Sequence, residues 1–320
     1  MPYYMPDTSH APTISITTPS LNQAEFIEET IVSVLSQQGD FFIDYIIMDG
    51  GSTDASVEII KKYDELLRRR GWPIGCKSIT YRWTSGKDKG QTDAVNKGFS
   101  QAKGEILGWL NSDDTYLPGA FQKAVDYFSA HPDVVMVYGN AYYTNRKGAI
   151  TAPYPSEPFD LKRLADYCYI CQPSAFIRTA ALKEVGEMDL SLHTCMDYDL
   201  WIRLGKKFES GIAFIEDYLA TSRMYAENKT LALKETAYEE SIETAKKHFG
   251  YVSIYWLNGY IIDVISGIHM KNKGQSLPIP IRKLIFMNLA MRYLLQPGNE
   301  ISLFRAFKIA WRNLENLEPV

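Results

Sequence analysis

The sequence has no long uninterrupted apolar run and no excess of basic residues. The nearest approach to a membrane span, Tyr251 to Met270, is broken by Asn258, Gly259 and Asp263. It falls short of the roughly 20 apolar residues that a bilayer requires. The formal net charge of -4 at pH 7 gives no general reason to expect nucleic acid as a partner. We therefore expect neither a transmembrane protein nor a nucleic-acid-binding one.

The sequence also lacks a secretory signal and has little cysteine. Met1 to Pro12 has neither a basic start nor an apolar segment, so we expect a cytoplasmic protein whose thiols are reduced. The four cysteines are Cys76, Cys168, Cys171 and Cys195. Three of these, with His193, could supply a zinc site, but the one-residue gap between His193 and Cys195 is atypical. Small buried thiols are common, and we favour that interpretation.

From Thr13 to about Asn140, strand-like and helix-like segments alternate, in a chain long enough for one large domain and an appendage. The predicted strands cover 13–19, 44–49, 79–84, 105–110 and 134–139, and the predicted helices cover 24–38, 56–70, 91–102 and 118–131. This order predicts an α/β fold with a mostly parallel, Rossmann-like sheet and helices on both of its faces.

After Asn140 the alternation ends. Tyr142 to Pro158 is predicted to be an edge hairpin or an acceptor-side loop, and short helices are predicted at 160–169 and 180–185. Met196 to Leu204 suits a helix opened by acidic residues better than a strand. From Ala232 the chain is predicted to be helical. Its last segments carry alternating apolar and basic residues, which suggest a surface for peripheral membrane contact; the basic residues are Arg282, Lys283, Arg292, Arg305, Lys308 and Arg312.

Carboxylates follow two of the predicted strands. Asp49 ends the second strand, Asp113 and Asp114 follow the fourth, and the polar loop Ser85–Gly90 follows the third. Ligands of such sheets bind beyond the carboxyl ends of the strands. Adjacent carboxylates there suit a hard divalent cation that shares substrate phosphates, whereas a solvated turn is the alternative for each loop alone. The three loops together predict a site for a metal-bound phosphorylated ligand.

Four segments resemble the large glycosyltransferase family 2. They are Ile16-Thr-Thr-Pro-Ser-Leu-Asn22, Met48-Asp-Gly-Gly-Ser-Thr-Asp54, Gly90 to Gly98 running into Gly104 to Asp114, and Met196-Asp-Tyr-Asp-Leu-Trp-Ile-Arg203. The resemblance implies a GT-A fold over 12–230, with a nucleotide-sugar half at 12–140 and an acceptor half at 141–230. Residues 1–11 would be a tail and 231–320 a C-terminal helical extension.

The resemblance also implies roles for individual residues. Asp49 would accept a hydrogen bond from a pyrimidine base, Asp114 would bind Mn²⁺ or Mg²⁺ directly, and Asp113 would lie near the ribose or sugar. Thr18, Pro19 and Ser20 would line the nucleotide pocket, and Asp88, Ala94 and Asn96 would lie near the ribose and diphosphate. A cation offsets the charge that gathers on the leaving diphosphate.

Asp197 stands where the family has its catalytic base, although Met196 replaces the Glu that usually precedes it. An acceptor hydroxyl needs such a base, and attack opposite the leaving group inverts the anomeric centre. The alternative for Asp197 is a helix N-cap, and Asp199 is the second candidate base.

Two further positions depart from the family pattern. Tyr225 stands where the family often has a His, and its hydroxyl could donate to a phosphate oxygen. Gln172 stands at a second position where a His is frequent. With Arg223 and Trp201, these are the remaining candidate contacts to diphosphate or acceptor.

We expect an inverting glycosyltransferase that uses a UDP- or dTDP-sugar and a glycan or lipid-linked acceptor, as in surface polysaccharide synthesis. A sugar nucleotidyltransferase is an alternative, but it would normally have a glycine-rich basic loop after the first strand. The other alternative is a non-catalytic module that binds nucleotide-sugars or glycans.

Overall fold

The computed structural model describes residues 11–271 together with Ile281, Leu284 and Asn288. The predicted basic residues near the C-terminus, Arg282, Lys283, Arg292, Arg305, Lys308 and Arg312, lie outside the described residues. The chain divides into two compact units, the first formed by residues 1–159 and 169–228 and the second by 160–168 and 229–320.

The strands are β1 Thr13–Ser20, β2 Phe42–Asp49, β3 Ser78–Ser85, β4 Ile106–Trp109, β5 Thr115–Tyr116, β6 Met136–Thr144, β7 Ile150–Pro153, β8 Ala175–Arg178 and β9 Ile212–Arg223. The helices are α1 Ile27–Leu35, α2 Ser56–Arg68, α3 Gln91–Gln101, α4 Ala120–Ala130, α5 Leu161–Leu164, α6 Thr179–Val185, α7 Met196–Lys207, α8 Lys229–Ala232, α9 Lys234–Phe249 and α10 Ile254–Lys271. The five strands and four helices predicted before Asn140 are confirmed with shifted ends, and so are the hairpin (β6 and β7) and the helical form of α7.

One nine-stranded sheet organises the first unit, in the order β3-β2-β1-β4-β8-β6-β9-β5, with β7 paired to β6. Strands β3, β2, β1 and β4 are parallel, as predicted. The rest of the sheet is mixed, because β8 runs antiparallel to both β4 and β6, and β9 is parallel to β6. The α/β fold is therefore confirmed, but the prediction of a mostly parallel sheet holds only for its first half.

Apolar side chains alternate between the two faces of β2. Ile43 and Ile47 belong to the main core, which also contains buried residues of α1, α2 and α4. Ile46 and Met48 point to the other face and form a small cluster with Ala94 of α3. Both faces of the parallel half are thus covered by helices, and only its edges are left for polar groups.

Helix α3 lies unusually close to β1. A Cβ atom built on Gly98 would come within 2.2 Å of Cγ2 of Thr17 and 2.6 Å of its Oγ1, so only glycine permits this approach. The close packing fixes the start of α3 beside the carboxyl ends of the parallel strands.

The second unit is helical. Tyr238 of α9 packs against Tyr260 of α10, with ring centroids 5.9 Å apart. Lys234 and Asp263 form an ion pair between the same two helices. In the part of the chain that the structure describes, no helix is both long and apolar enough to cross a membrane.

Candidate active site

Three loops meet at the carboxyl edge of the parallel strands. Ser20 is in register with Asp49, and Asp49 is in register with Ser85. Side chains at matched positions of parallel strands share a face, so these three polar groups form one row at the ends of β1, β2 and β3.

The Asp49 carboxylate is buried and held by four donors. Its Oδ2 accepts hydrogen bonds from the main-chain N–H groups of Gly51 (3.1 Å) and Ser52 (2.9 Å) and from the hydroxyl of Ser85 (2.6 Å). Among the described residues its Oδ1 accepts one hydrogen bond, from the Ser52 hydroxyl (2.5 Å). Oδ2 is therefore saturated, while Oδ1 keeps capacity for a further donor.

The loop after β1 is fastened to the loop after β2. The main-chain N–H of Asn22 donates to Ser52 Oγ (2.8 Å), and the Asn22 side chain accepts from the N–H of Thr53 (2.9 Å). Asn22 adopts a left-handed backbone with φ of 53°, which Asn tolerates better than most residues. These bonds hold the two loops together beside Asp49.

The three predicted pocket residues of β1 differ in what they offer. The Thr18 hydroxyl lies 3.1 Å from the Tyr45 hydroxyl in a shared hydrogen bond, and Pro19 is buried. The Ser20 hydroxyl is buried and has no hydrogen-bond partner among the described residues. A buried polar atom without a partner is costly, so Ser20 fits a polar ligand at this edge.

Asp88 lies against the turn that follows β2. A Cβ atom on Gly50 would come within 2.9 Å of Asp88 Oδ2, and the Asp88 Oδ1 accepts from the N–H of Gly90 at 2.8 Å. Asp88 therefore lies beside the turn after β2, and its place near a ribose or diphosphate stays a prediction.

Ala94 and Asn96, in contrast, do not face a ligand. Ala94 is packed against Ile46 and Met48 in the small apolar cluster. The Asn96 amide is buried and forms two hydrogen bonds with the main chain of Met188, at 2.9 and 3.1 Å. The expectation that they contact ribose or diphosphate is not supported; Asn96 instead fixes the loop that leads to α7.

The two adjacent carboxylates after β4 have different surroundings. Asp114 is buried; Oδ1 accepts from the main-chain N–H of Arg223 (2.8 Å) and Oδ2 from the Asn111 amide (3.2 Å). Burial and the neighbouring Asp113 charge raise the pKa of Asp114 well above its usual range. Asp113 is half-buried, burial raises its pKa, and its Oδ2 accepts from the hydroxyl of Tyr225 at 2.9 Å.

This donor set fits a divalent cation. Two close carboxylates with raised pKa values are a site where positive charge is favourable. Among the described residues no group of three or more His, Cys, Asp or Glu side chains could hold a metal, so the remaining ligands would be phosphate and water oxygens, as is usual for Mg²⁺. The zinc alternative for the cysteines and His193 finds no support in that same part of the chain.

Arg223 supports the loop that carries Asp113 and Asp114, here called the acidic loop. Its guanidinium is buried and donates to the main-chain oxygens of Asp113 (2.8 Å) and Arg146 (2.9 Å) and to the Glu29 carboxylate (2.5 Å). The predicted contact of Arg223 with diphosphate or acceptor is not supported, because the side chain is buried and donates three hydrogen bonds inside the protein.

Asn111 and Gln172 also support the acidic loop through hydrogen bonds. The Asn111 Oδ1 accepts from the Trp109 indole (2.7 Å) and the Gln91 amide (2.6 Å), and its Nδ2 donates to Gln172 Oε1 (3.2 Å). Gln172 Nε2 donates in turn to the main-chain oxygen of Trp109 at 2.5 Å. The predicted acceptor contact of Gln172 is not supported, since both ends of its buried amide position this loop.

Asp197 and Asp199 lie in the first turn of α7 with opposite exposure. Cys195 is the N-cap residue, so the N-cap alternative for Asp197 is wrong. Asp197 is partly exposed, and its Oδ1 accepts from the N–H of Tyr198 at 2.8 Å. Asp199 is buried and paired with Arg203 at 2.7 Å. Of the two candidate bases, Asp197 is the more exposed residue.

Trp201 on the same helix is 2 % exposed. Its Nε1 has no hydrogen-bond partner among the described residues. The predicted direct contact of Trp201 with acceptor or diphosphate is not supported, because the ring is part of the interior.

Sequence reasoning missed several residues that shape the site. They are Ser52 and Ser85 on Asp49, Asn111 and Gln91 beside the acidic loop, and Glu29 on Arg223. The polar loops after β2 and β3 signalled the two serines. Nothing local signalled Glu29, which is 194 residues from Arg223 in the chain.

A sequence profile of Glycosyl transferase family 2 matches residues 15–186, more than half of the chain. The chain belongs to this family. Membership shows the enzyme class, a glycosyltransferase that uses nucleotide-sugars, and decides against the nucleotidyltransferase and the non-catalytic module.

Curated relatives agree with this assignment. A PGL/p-HBAD biosynthesis glycosyltransferase of Mycobacterium bovis is 31 % identical over 198 residues, which cover 60 % of this chain and 70 % of the relative. An uncharacterized glycosyltransferase of Methanocaldococcus jannaschii is 25 % identical over 244 residues, which cover 74 % of this chain and 80 % of the relative.

Solved structures show the GT-A fold. The mannosyltransferase PcManGT of Pyrobaculum calidifontis, solved with GDP-Man and Mn²⁺, has a TM-score of 0.55 at 15 % identity; the match covers 97 % of this chain and 87 % of that one. TarS 1–349 of S. aureus, solved with UDP-GlcNAc, has a TM-score of 0.52 at 16 % identity, covering 94 % and 79 %. This chain spans 45 % of a longer TarS chain.

Proposed function

We propose that this enzyme transfers a sugar from a UDP- or dTDP-sugar to a hydroxyl of a glycan or lipid-linked glycan, inverts the anomeric centre and depends on Mn²⁺ or Mg²⁺. Synthesis of a surface polysaccharide is the setting that such an acceptor suggests. The hydrogen bonding of Asp49 carries the proposal for the donor, and the different surroundings of the site carboxylates carry the proposal for the chemistry.

The unequal use of the two Asp49 oxygens favours a base with one N–H on the recognised edge. Uracil and thymine present a single ring N–H between two carbonyl oxygens, whereas guanine presents two parallel N–H groups that a carboxylate meets with both oxygens. Oδ2 already accepts three hydrogen bonds and Oδ1 accepts one. A single donor on Oδ1 satisfies the remaining capacity, and the orphan hydroxyl of Ser20 lies on the same row.

We place the cation on Asp113 rather than directly on Asp114. Both oxygens of Asp114 already accept hydrogen bonds inside the protein. Asp113 is half-buried, and among the described residues its carboxylate accepts a side-chain hydrogen bond from Tyr225 alone, on Oδ2. Asp114 would contribute negative charge near the cation without binding it, and it holds the loop to the main chain of Arg223. A bound cation supplies positive charge against the leaving diphosphate.

Asp197 is the proposed general base. The residue is partly exposed in the first turn of α7, where the positive end of the helix dipole stabilises negative charge. It takes the proton of the acceptor hydroxyl as the oxygen attacks the anomeric carbon. Asp199 cannot share this role, because it is buried against Arg203.

The test is a transfer assay with UDP-, dTDP-, GDP- and ADP-sugars, Mn²⁺ and a panel of glycan acceptors. We expect acceptor-dependent release of UDP or dTDP, and a β-linked product from an α-linked donor by NMR. Asp197→Asn is the matched inactive control. Retention of anomeric configuration, or turnover with GDP-sugars alone, would contradict the proposal.

A further inference from the structure

We propose that Arg146, at the turn between β6 and β7, is a positioning residue for the cation site that acts through the ring of Tyr225 on Asp113. This inference rests on the proposed function, because the cation site is part of it. No motif of the sequence pointed to Arg146.

Two carboxylates hold the Arg146 guanidinium in a fixed plane. Its Nε and Nη2 donate to the two oxygens of Glu25 at 2.7 and 2.6 Å. Its Nη1 donates to Glu227 at 2.9 Å. A bidentate pair fixes the orientation of the fork as well as its position. Glu25 lies just before α1 and Glu227 in the segment after β9, so Arg146 connects both segments to the hairpin.

The fixed guanidinium packs on two aromatic rings. Its central carbon lies 5.5 Å from the ring centre of Tyr225 and 5.8 Å from that of Phe26. The two rings contact each other with centroids 4.9 Å apart. Both distances from the guanidinium are within the range of a cation–π contact. The Tyr225 ring is therefore confined by Phe26 and Arg146.

The confined ring places its hydroxyl on the cation site. The Tyr225 hydroxyl donates to Oδ2 of Asp113 at 2.9 Å, which turns the other carboxylate oxygen away from Tyr225. Groups that hydrogen-bond a metal ligand orient it, and their loss typically weakens metal binding by roughly 10- to 100-fold. The contacts thus run from Glu25 through Arg146 and Tyr225 to Asp113.

The hairpin turn does not need the Arg146 side chain for its own structure. The Asn145 side chain accepts from the N–H groups of Lys147 (2.9 Å) and Ala149 (3.1 Å), and the main-chain oxygen of Arg146 accepts from Arg223. The Arg146 side chain is about half exposed, and exposed ion pairs contribute little to stability. Truncation of Arg146 should therefore release the Tyr225 ring without unfolding the turn.

The experiment titrates Mn²⁺ into protein saturated with UDP and follows free Mn²⁺ by electron paramagnetic resonance. The variants are Tyr225→Phe, Arg146→Gln, the double variant and Arg146→Lys, which keeps the charge but lacks the planar fork. Lys62→Gln removes another exposed pair to the α1 region, with Glu28, and is the matched control. UDP affinity without metal and the melting temperature are measured for each protein.

We expect Tyr225→Phe to raise the half-saturating Mn²⁺ concentration about tenfold. Arg146→Gln and Arg146→Lys should raise it severalfold, and Lys62→Gln should leave it unchanged. The double variant should be no worse than Tyr225→Phe, because Arg146 acts through that ring. Metal-free UDP affinity should stay constant throughout.

An unchanged Mn²⁺ titration in Arg146→Gln, or additive effects in the double variant, would overturn the role of Arg146. A wild-type protein that binds UDP but no Mn²⁺ would instead overturn metal dependence in the proposed function, and this inference with it.

Discussion

The hydroxyl of Ser85, at the end of β3, donates to Oδ2 of Asp49 on the neighbouring strand at 2.6 Å. This bond completes a set of three donors on one carboxylate oxygen, and the other oxygen is the one that we propose contacts the base. If Asp49 contacts the base as proposed, β3, two places from β1 in the sheet, contributes to the choice of nucleotide.

Ser85→Ala should relax the choice of base. Without that donor, Oδ2 regains acceptor capacity and can meet a second N–H of guanine. We expect the ratio of UDP to GDP affinity to fall about fivefold, the factor that corresponds to one hydrogen bond of about 1 kcal/mol. Isothermal titration with both nucleotides measures it. Ser100→Ala removes an exposed hydroxyl that donates to the main-chain oxygen of Lys97 in its own helix and should leave the ratio unchanged. An unchanged ratio in Ser85→Ala would contradict the proposed role of Ser85.

Asn substitutions should distinguish the roles of the two adjacent carboxylates, metal binding for Asp113 and structural support for Asp114. Asp113→Asn should abolish the Mn²⁺-dependent gain in UDP affinity at nearly constant melting temperature. Asp114→Asn should lower the free energy of unfolding by about 1–3 kcal/mol, because an amide cannot accept on both sides in a buried position. Denaturant unfolding and UDP titration with and without Mn²⁺ check both. If Asp114→Asn keeps its stability but loses the effect of Mn²⁺ on UDP affinity, Asp114 rather than Asp113 is the direct ligand of the cation.

Asn substitutions at Asp197 and Asp199 on α7 should likewise distinguish a catalytic role from a structural one. Asp197→Asn should cut turnover by roughly 10²–10⁴-fold with little change in donor affinity. Asp199→Asn should cost about 1–3 kcal/mol of stability, since Arg203 loses its charged partner. Turnover and thermal melting are measured on both variants. Wild-type turnover in Asp197→Asn would show that the base lies elsewhere.

Asn96→Ala should destabilise the fold rather than weaken donor binding. It removes two buried hydrogen bonds to Met188, at a cost of about 2 kcal/mol. The neighbouring Lys97→Ala loses only an exposed pair with Asp93 and should cost less than about 0.5 kcal/mol. A loss of UDP affinity in Asn96→Ala at unchanged stability would restore its predicted place at the nucleotide.

Much of the parallel half of the sheet was predictable because its periodicity is strong. In α1, Ile27, Ile31, Val34 and Leu35 recur at helical spacing and are buried. The later strands gave weaker signals. β8 has four residues, and β9 carries exposed Glu216 and Asp217 at a shift in its register with β6.

The site was predictable where strand ends and polar loops coincide, as at Asp49 and Asp88. It was not predictable where a partner comes from a distant element. Arg146 meets Glu25 across 121 residues, and no local pattern marks either residue. Inward-facing groups such as Arg223 and Gln172 also look like ligand contacts in a sequence, because the sequence does not show which way a polar side chain points.

The most direct test of the account compares UDP, dTDP, GDP and ADP binding to the wild-type enzyme with Mn²⁺ by isothermal titration. We expect UDP or dTDP to bind at least tenfold more tightly than GDP and ADP, and Asp49→Ala to abolish the difference, a free-energy gap of about 1.4 kcal/mol. Equal affinity for all four nucleotides, or a preference for GDP, would contradict the assignment of Asp49 as the reader of a single base N–H.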